Sequence, residues 1–197
     1  MQTVQKTTLS VLFTLSVLTL TTPALATTII EQTFPDLVHQ AEVITVGTVT
    51  GIQEQWDASR QVPITQVTFS HLTVLKGDPG LDSLTLEFLG GHLPDGRVLT
   101  VSGMPHLTMG EKAVVFSAGN QHYFWPLVGG WQGLLRVTFD PQRGEEVVSD
   151  NFYMPIAGVQ NGQFLKLPPE VSGHKALSLS TFIDLIKQEM GNAYGQE

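Results

Sequence analysis

Residues 64–88, ITQVTFSHLTVLKGDPGLDSLTLEF, decide the fold class. Val67 and Phe69 share one phase of a two-residue alternation, whereas Leu72 and Val74 fall on the other. A one-residue slip inside a strand sends every later side chain to the opposite face, as a β-bulge does. A bulge is therefore placed near Ser70-His71. Lys76-Gly77-Asp78-Pro79-Gly80 reads as a turn. Leu84, Leu86 and Phe88 then alternate with Thr85 and Glu87 as a half-buried strand.

The flanking chain continues the pattern. Val43 to Val49 (VITVGTV) is β-branched and reads as a strand. Before it, Thr33 as N-cap, Pro35 in the first turn and Asp36 near the positive helix end predict a short helix from Phe34 to Gln40. Gly90 to Gly96 reads as a loop before a short strand, Arg97 to Val101, and Ala113 to Phe116 as another strand. Gly119-Asn120 predicts a hairpin turn into a strand from Tyr123 to Val128. Leu134 to Phe139 and Glu145 to Val148 form a further hairpin. Ser180 caps a helix whose Phe182, Leu185, Ile186 and Met190 keep helical spacing, with Gly191 as terminator. The sum is a mainly β domain of seven or eight short antiparallel strands with a short N-terminal and a C-terminal helix. An OB-like antiparallel β-barrel is favoured, with a β-sandwich as the alternative.

Composition narrows the chemistry. Of 197 residues, 18 are acidic and 10 basic, none is Cys, and the formal charge is −8. Without cysteine there is no disulfide framework, thiolate nucleophile or Cys-ligated metal. The acidic balance argues against nucleic acid, which needs a clustered basic surface. Residues 1–26 read as a signal peptide: Lys6, then the apolar run Leu9 to Leu20, then Pro23 and the small residues Ala24 and Ala26. That run is shorter than the roughly 20 residues needed to span a bilayer. Cleavage after Ala26 leaves a single domain, residues 27–197, ending in a helix at about 180–190. No later segment reads as a membrane span, so the protein is read as exported, periplasmic or extracellular.

Catalytic signatures are sparse. His39, His71, His92, His106, His122 and His174 form no i,i+4 pair and no H-E-x-x-H run. Only His92 and His106, which flank one strand with Asp95 or Glu111 nearby, suggest a metal-assisted hydrolase. G-x-S-x-G and phosphate-binding loops are missing. Glu145 and Glu146 are strand neighbours that point to opposite faces, and Asp78 and Asp82 have the character of turn residues. Tyr123, Phe124, Trp125 and Trp131 concentrate aromatic surface, which serves either packing or recognition.

Four segments carry a resemblance: LVHQAEVITVGTV (37–49), VTFSHLTVLKG (67–77), GMPHLTMGEKAVVF (103–116) and GGWQGLLRV (129–137). Together they resemble a widespread group of bacterial exported proteins. AEVITVGTV and TVLKG are also distantly similar to the netrin-like module of tissue metalloproteinase inhibitors, an OB-type barrel. That resemblance implies a barrel fold and makes a metallopeptidase a conceivable partner. In those inhibitors an N-terminal cysteine chelates the protease zinc. Here there is no Cys and the expected mature start is Thr27, so no inhibitory residue carries across.

The expected function is therefore a non-catalytic binding module for a protein or peptide partner, with no metal or cofactor. His92, Asp95, His106, Trp125 and Trp131 are its candidate contacts. A glycan-binding OB-like module and a metal-assisted hydrolase are the alternatives.

Overall fold

A computed structural model describes residues 30–122, 125–168 and 175–194, and these described residues form ten strands and two helices. In chain order these are α1 (Phe34–Gln40), β1 (Val43–Asp57), β2 (Val62–Lys76), β3 (Ser83–Leu89), β4 (Gly91–His92), β5 (Val98–Leu99), β6 (Lys112–Ser117), β7 (Leu134–Asp140), β8 (Glu145–Ser149), β9 (Ile156–Gln160), β10 (Gln163–Lys166) and α2 (Leu179–Tyr194). A 3-10 turn, Gly130–Gly133, precedes β7.

Six strands form one antiparallel sheet in the order β3-β2-β1-β6-β7-β8. The mainly β, antiparallel reading holds. The strand pairing does not join β3 to β8, so hydrogen bonds do not close the sheet into a barrel. The bulge read near Ser70-His71 is present: the β1–β2 register shifts between Val46/Thr48, and His71 adopts φ 54°. Gly47 lies beside it, where a Cβ would come within 2.6 Å of Leu72 Cδ2 and 3.1 Å of Phe69 Cβ. The missing side chain at Gly47 lets β2 pass this closely over β1.

Both faces of the sheet are buried. On one, Ile44, Val46, Val114, Phe116 and Leu135 pack against α1 and α2. On the other, Val67, Phe69, Leu84, Leu86 and Phe88 of β2 and β3 share a cluster with Ala113, Val115 and Leu134. Strands three places apart in the pairing order meet in that cluster, so the sheet curls on itself. β6 serves both cores, and Ala113 to Phe116 are all buried as a continuous apolar run.

The helices seal the first core. Thr33 and Asp36 form a reciprocal capping box, with Thr33 Oγ1 accepting from Asp36 N at 3.2 Å and the Asp36 carboxylate from Thr33 N at 3.0 Å. These Thr33 bonds hold the Asp36 carboxyl below its ordinary range. Phe34 and Phe182 rings meet at 5.8 Å.

Three expectations need correction. Tyr123 and Phe124 lie outside the described residues, and Trp125 to Val128 make a single bridge, Ser117 with Leu127, instead of a strand. Gly129 and Gly130 bend the chain immediately afterwards at φ 61° and 67°. α2 runs through Gly191 to Tyr194, and Ser178, not Ser180, accepts from the Thr181 N–H at its start. A helical Gly costs only about 1 kcal/mol relative to Ala, too little to stop this helix. Third, the seven or eight strands expected are ten among the described residues, two of them in the β9–β10 hairpin, whose Asn161-Gly162 turn, both at positive φ, is a strong hairpin signal. Residues 1–26, read as a signal peptide, and His174 lie outside the described residues. Among the described residues, no helix is long and apolar enough to cross a membrane.

Candidate functional site

A groove of about 420 Å³ lies between strands β1–β3 and the β4–β5 hairpin. Ile52, Val67 and Phe88 line it from the sheet, and Val101, Met104 and Leu107 from the segment after β5. Its lining is apolar apart from Thr65 and Thr100 and the titratable Glu54 and His106. Val98, 57% exposed, and Leu99 present apolar surface at its border.

Two features shape the hairpin. Gly90 and Gly91 adopt φ 129° and 127°, which L side chains avoid. A Cβ on Gly91 would stand 3.2 Å from Glu54 Oε2, so glycine lets that carboxylate reach the hairpin backbone. Glu54 Oε2 accepts the His92 N–H at 3.0 Å and contacts His92 Nδ1. The imidazole contact is the main reason the Glu54 carboxyl sits below its ordinary range, with the His92 N–H adding to it. His92 is therefore a strap from β4 to β1. Asp95, farther along, accepts from Arg97 Nε at 2.8 Å and Arg97 N at 3.1 Å. Arg97 holds its carboxyl below the usual value. Asp95 shapes the hairpin tip and does not line the groove.

The segment carrying His106 is clamped from below by Arg136, a buried guanidinium on β7. It donates to His106 O at 2.7 Å, Glu111 Oε2 at 2.9 Å, Asn151 O at 3.0 Å and Asn151 Oδ1 at 3.2 Å. The Tyr153 ring lies 4.4 Å from its central carbon. All this fixes the His106 backbone, and the exposed side chain is left on the groove.

Trp125 and Trp131 come together elsewhere. A Cβ on Gly103 would lie 2.9 Å from Trp131 Cε3 and 3.4 Å from Trp125 Cζ2, so both indoles pack on that glycine. Trp131 also meets the Phe152 ring edge-on at 6.0 Å. Trp125 Nε1 is buried without a hydrogen-bond partner among the described residues. Trp131 lines a second cavity that shares no residue with the groove.

The candidate contacts thus divide. His106 lines the groove, His92 straps it through Glu54, Asp95 stays at the hairpin tip, and the two Trp residues belong to the other side of the 101–107 segment. Among the described residues, no group of three or more His, Asp or Glu is arranged to hold a metal ion. Sequence reading missed Glu54, Val101 and Arg136. Glu54 meets His92 across 38 residues, and Arg136 bridges segments 15 to 30 residues away, so no local pattern marks them. No protein-family model matches the chain, and neither does any curated protein or solved structure.

Proposed function

We propose that this chain is an exported, non-catalytic binding module with an OB-like build, and that the groove holds an extended segment of a protein partner. The observation that carries this is the groove itself: an apolar floor with extended backbone on its borders suits alternate side chains of a strand-like peptide. The curled sheet, in which β1 serves both halves and β2–β3 share a core with β6–β7, supports the OB-like reading. The net charge of −8 favours a segment whose apolar residues are flanked by Lys or Arg. By the resemblance described above, a metallopeptidase is one partner to examine.

Selection from a random peptide display library on the immobilised protein tests the reading. Peptides with apolar residues flanked by basic ones should be enriched and should bind Val101→Asp at least about tenfold more weakly, a loss of roughly 1.4 kcal/mol. No enrichment, or enriched peptides that bind V101D equally well, defeats it. Export is tested separately by N-terminal sequencing of protein recovered from the periplasm or medium, which should begin at Thr27.

A further inference from the structure

The second cavity lies under α1, between the 3-10 turn and the β9–β10 hairpin, with a volume of about 80 Å³. That is several times the roughly 10–15 Å³ needed to admit a single enclosed water, so there is room for part of a small polar ligand. Its character is unlike that of the groove. Trp131 forms one side, and planar polar groups surround it: Glu31, Gln163 and Asn151. Asp150 and Lys166 also face it but neutralise one another at 2.9 Å.

The hydrogen-bond accounting separates residues that build the cavity from those left over. Gln132 is spent holding the chain before α1: its Oε1 accepts from Gln32 N at 2.8 Å and its Nε2 donates to Ile30 O at 3.0 Å. Asp150 Oδ1 accepts from the N–H groups of Phe152 and Met154, at 2.8 and 2.9 Å. Asn151 Oδ1 is held by Arg136, which leaves its NH₂ group unpaired among the described residues. The side chains of Glu31 and Gln163, both solvent-exposed residues at the cavity, likewise have no hydrogen-bond partner among the described residues.

We propose that this cavity is a subsite for a neutral sugar ring, distinct from the peptide groove. A purely apolar ligand would strand the unpaired amide and carboxylate groups away from water. An anion would face the unpaired Glu31. Vicinal hydroxyls, by contrast, give and accept hydrogen bonds with planar amide and carboxylate groups at once. The C–H face of a pyranose carries slight positive charge and suits the electron-rich face of an indole. Gly103 and Phe152 hold the Trp131 ring in place before any ligand arrives.

The test is a titration of the full chain with chitotriose, cellotriose and maltotriose, followed by saturation-transfer NMR and tryptophan fluorescence. At least one trisaccharide should bind saturably with millimolar or tighter Kd. Gln163→Ala should weaken it about fivefold or more without moving the thermal midpoint, because this exposed side chain has no hydrogen-bond partner among the described residues. Trp131→Phe keeps an aromatic face and should retain partial binding. Val101→Asp in the groove should leave sugar binding unchanged, which keeps this result separable from the peptide reading. No saturable binding by any of the three sugars overturns the proposal. So does binding that Gln163→Ala leaves intact, or a site that takes arginine methyl ester in preference to sugar.

Discussion

The carboxamide of Asn120 lies against the outer edge of β3, where its Nδ2 donates to the Thr85 carbonyl at 2.7 Å. Its Oδ1 accepts the Glu87 N–H at 3.1 Å. One side chain thus does for two backbone groups what a neighbouring strand would do. It also ties the turn after β6 to the strand at the far end of the sheet. The exposed edge of a sheet invites pairing with other chains, and this contact blunts it.

Asn120→Ala removes both bonds and leaves an edge carbonyl and N–H without a protein partner. The expected loss is about 1–2 kcal/mol, seen as a lower urea midpoint at unchanged m-value. Hydrogen exchange at the Glu87 amide should quicken at the same time. Asn120→Asp keeps an acceptor for Glu87 N but gives nothing to the Thr85 carbonyl, so it should also destabilise.

Arg136 carries the second prediction. Arg136→Met takes the counter-charge from Glu111 and leaves the His106 carbonyl and Asn151 oxygens without their donor around a buried site, and the expected cost is about 3–5 kcal/mol. Arg136→Lys should recover only part of it, since an ammonium cannot reproduce the planar fork that reaches three segments. Thermal denaturation distinguishes the three proteins.

The same cluster sets an acid limit. Burial pushes the Glu111 carboxyl up, but the Thr108 N–H and the Arg136 charge more than offset this and leave it below its ordinary value of 4.5. A depressed folded-state value means that the stabilisation is complete above the ordinary value and is lost as pH falls through the folded one. Glu111→Gln should lower stability at pH 7 and flatten the decline in stability between about pH 5 and pH 3. Urea midpoints measured across that range give the comparison.

Two glycines should respond differently to the same substitution. A Cβ on Gly133 would fall 2.6 Å from Val128 O, 2.8 Å from Phe116 O and 2.9 Å from Val128 N, all backbone atoms. It would intrude on the Val128 N–H to Phe116 carbonyl bond, which spans 3.0 Å. A Cβ on Gly47 meets chiefly the terminal Cδ2 of Leu72, which can rotate aside. Gly47→Ala should cost about 1–3 kcal/mol, and Gly133→Ala more than that, enough to reduce soluble yield.

The strap between Glu54 and His92 gives a prediction for the groove. Glu54→Ala releases the β4–β5 hairpin from β1, so amide exchange at His92 should accelerate. Peptides selected on the wild-type groove should dissociate faster, with the global urea midpoint shifted by less than about 1 kcal/mol, since both side chains are largely exposed.

Local chemistry made much of this protein readable. Thr33, Pro35 and Asp36 define a helix start within four residues, and the phase slip between Phe69 and Leu72 locates a bulge, because both signals act over a single turn or strand pair. The Asn161-Gly162 turn is an equally local signal. The candidate contacts were less legible. His106 and Trp131 lie on concave surfaces, but on two separate ones, and spacing along the chain carries no record of which surface a loop faces.

Residue order by itself determined an acidic, cysteine-free, mainly antiparallel β chain with a helix near each end of the described body, since alternation, capping and turn chemistry are settled by neighbours. Tertiary structure alone decided that the sheet curls without pairing its edges, that Asn120 covers one of those edges, and that Arg136 and Glu54 hold the loops around a groove. Those outcomes depend on contacts between residues 15 to 38 positions apart, where packing and charge act through space rather than along the chain.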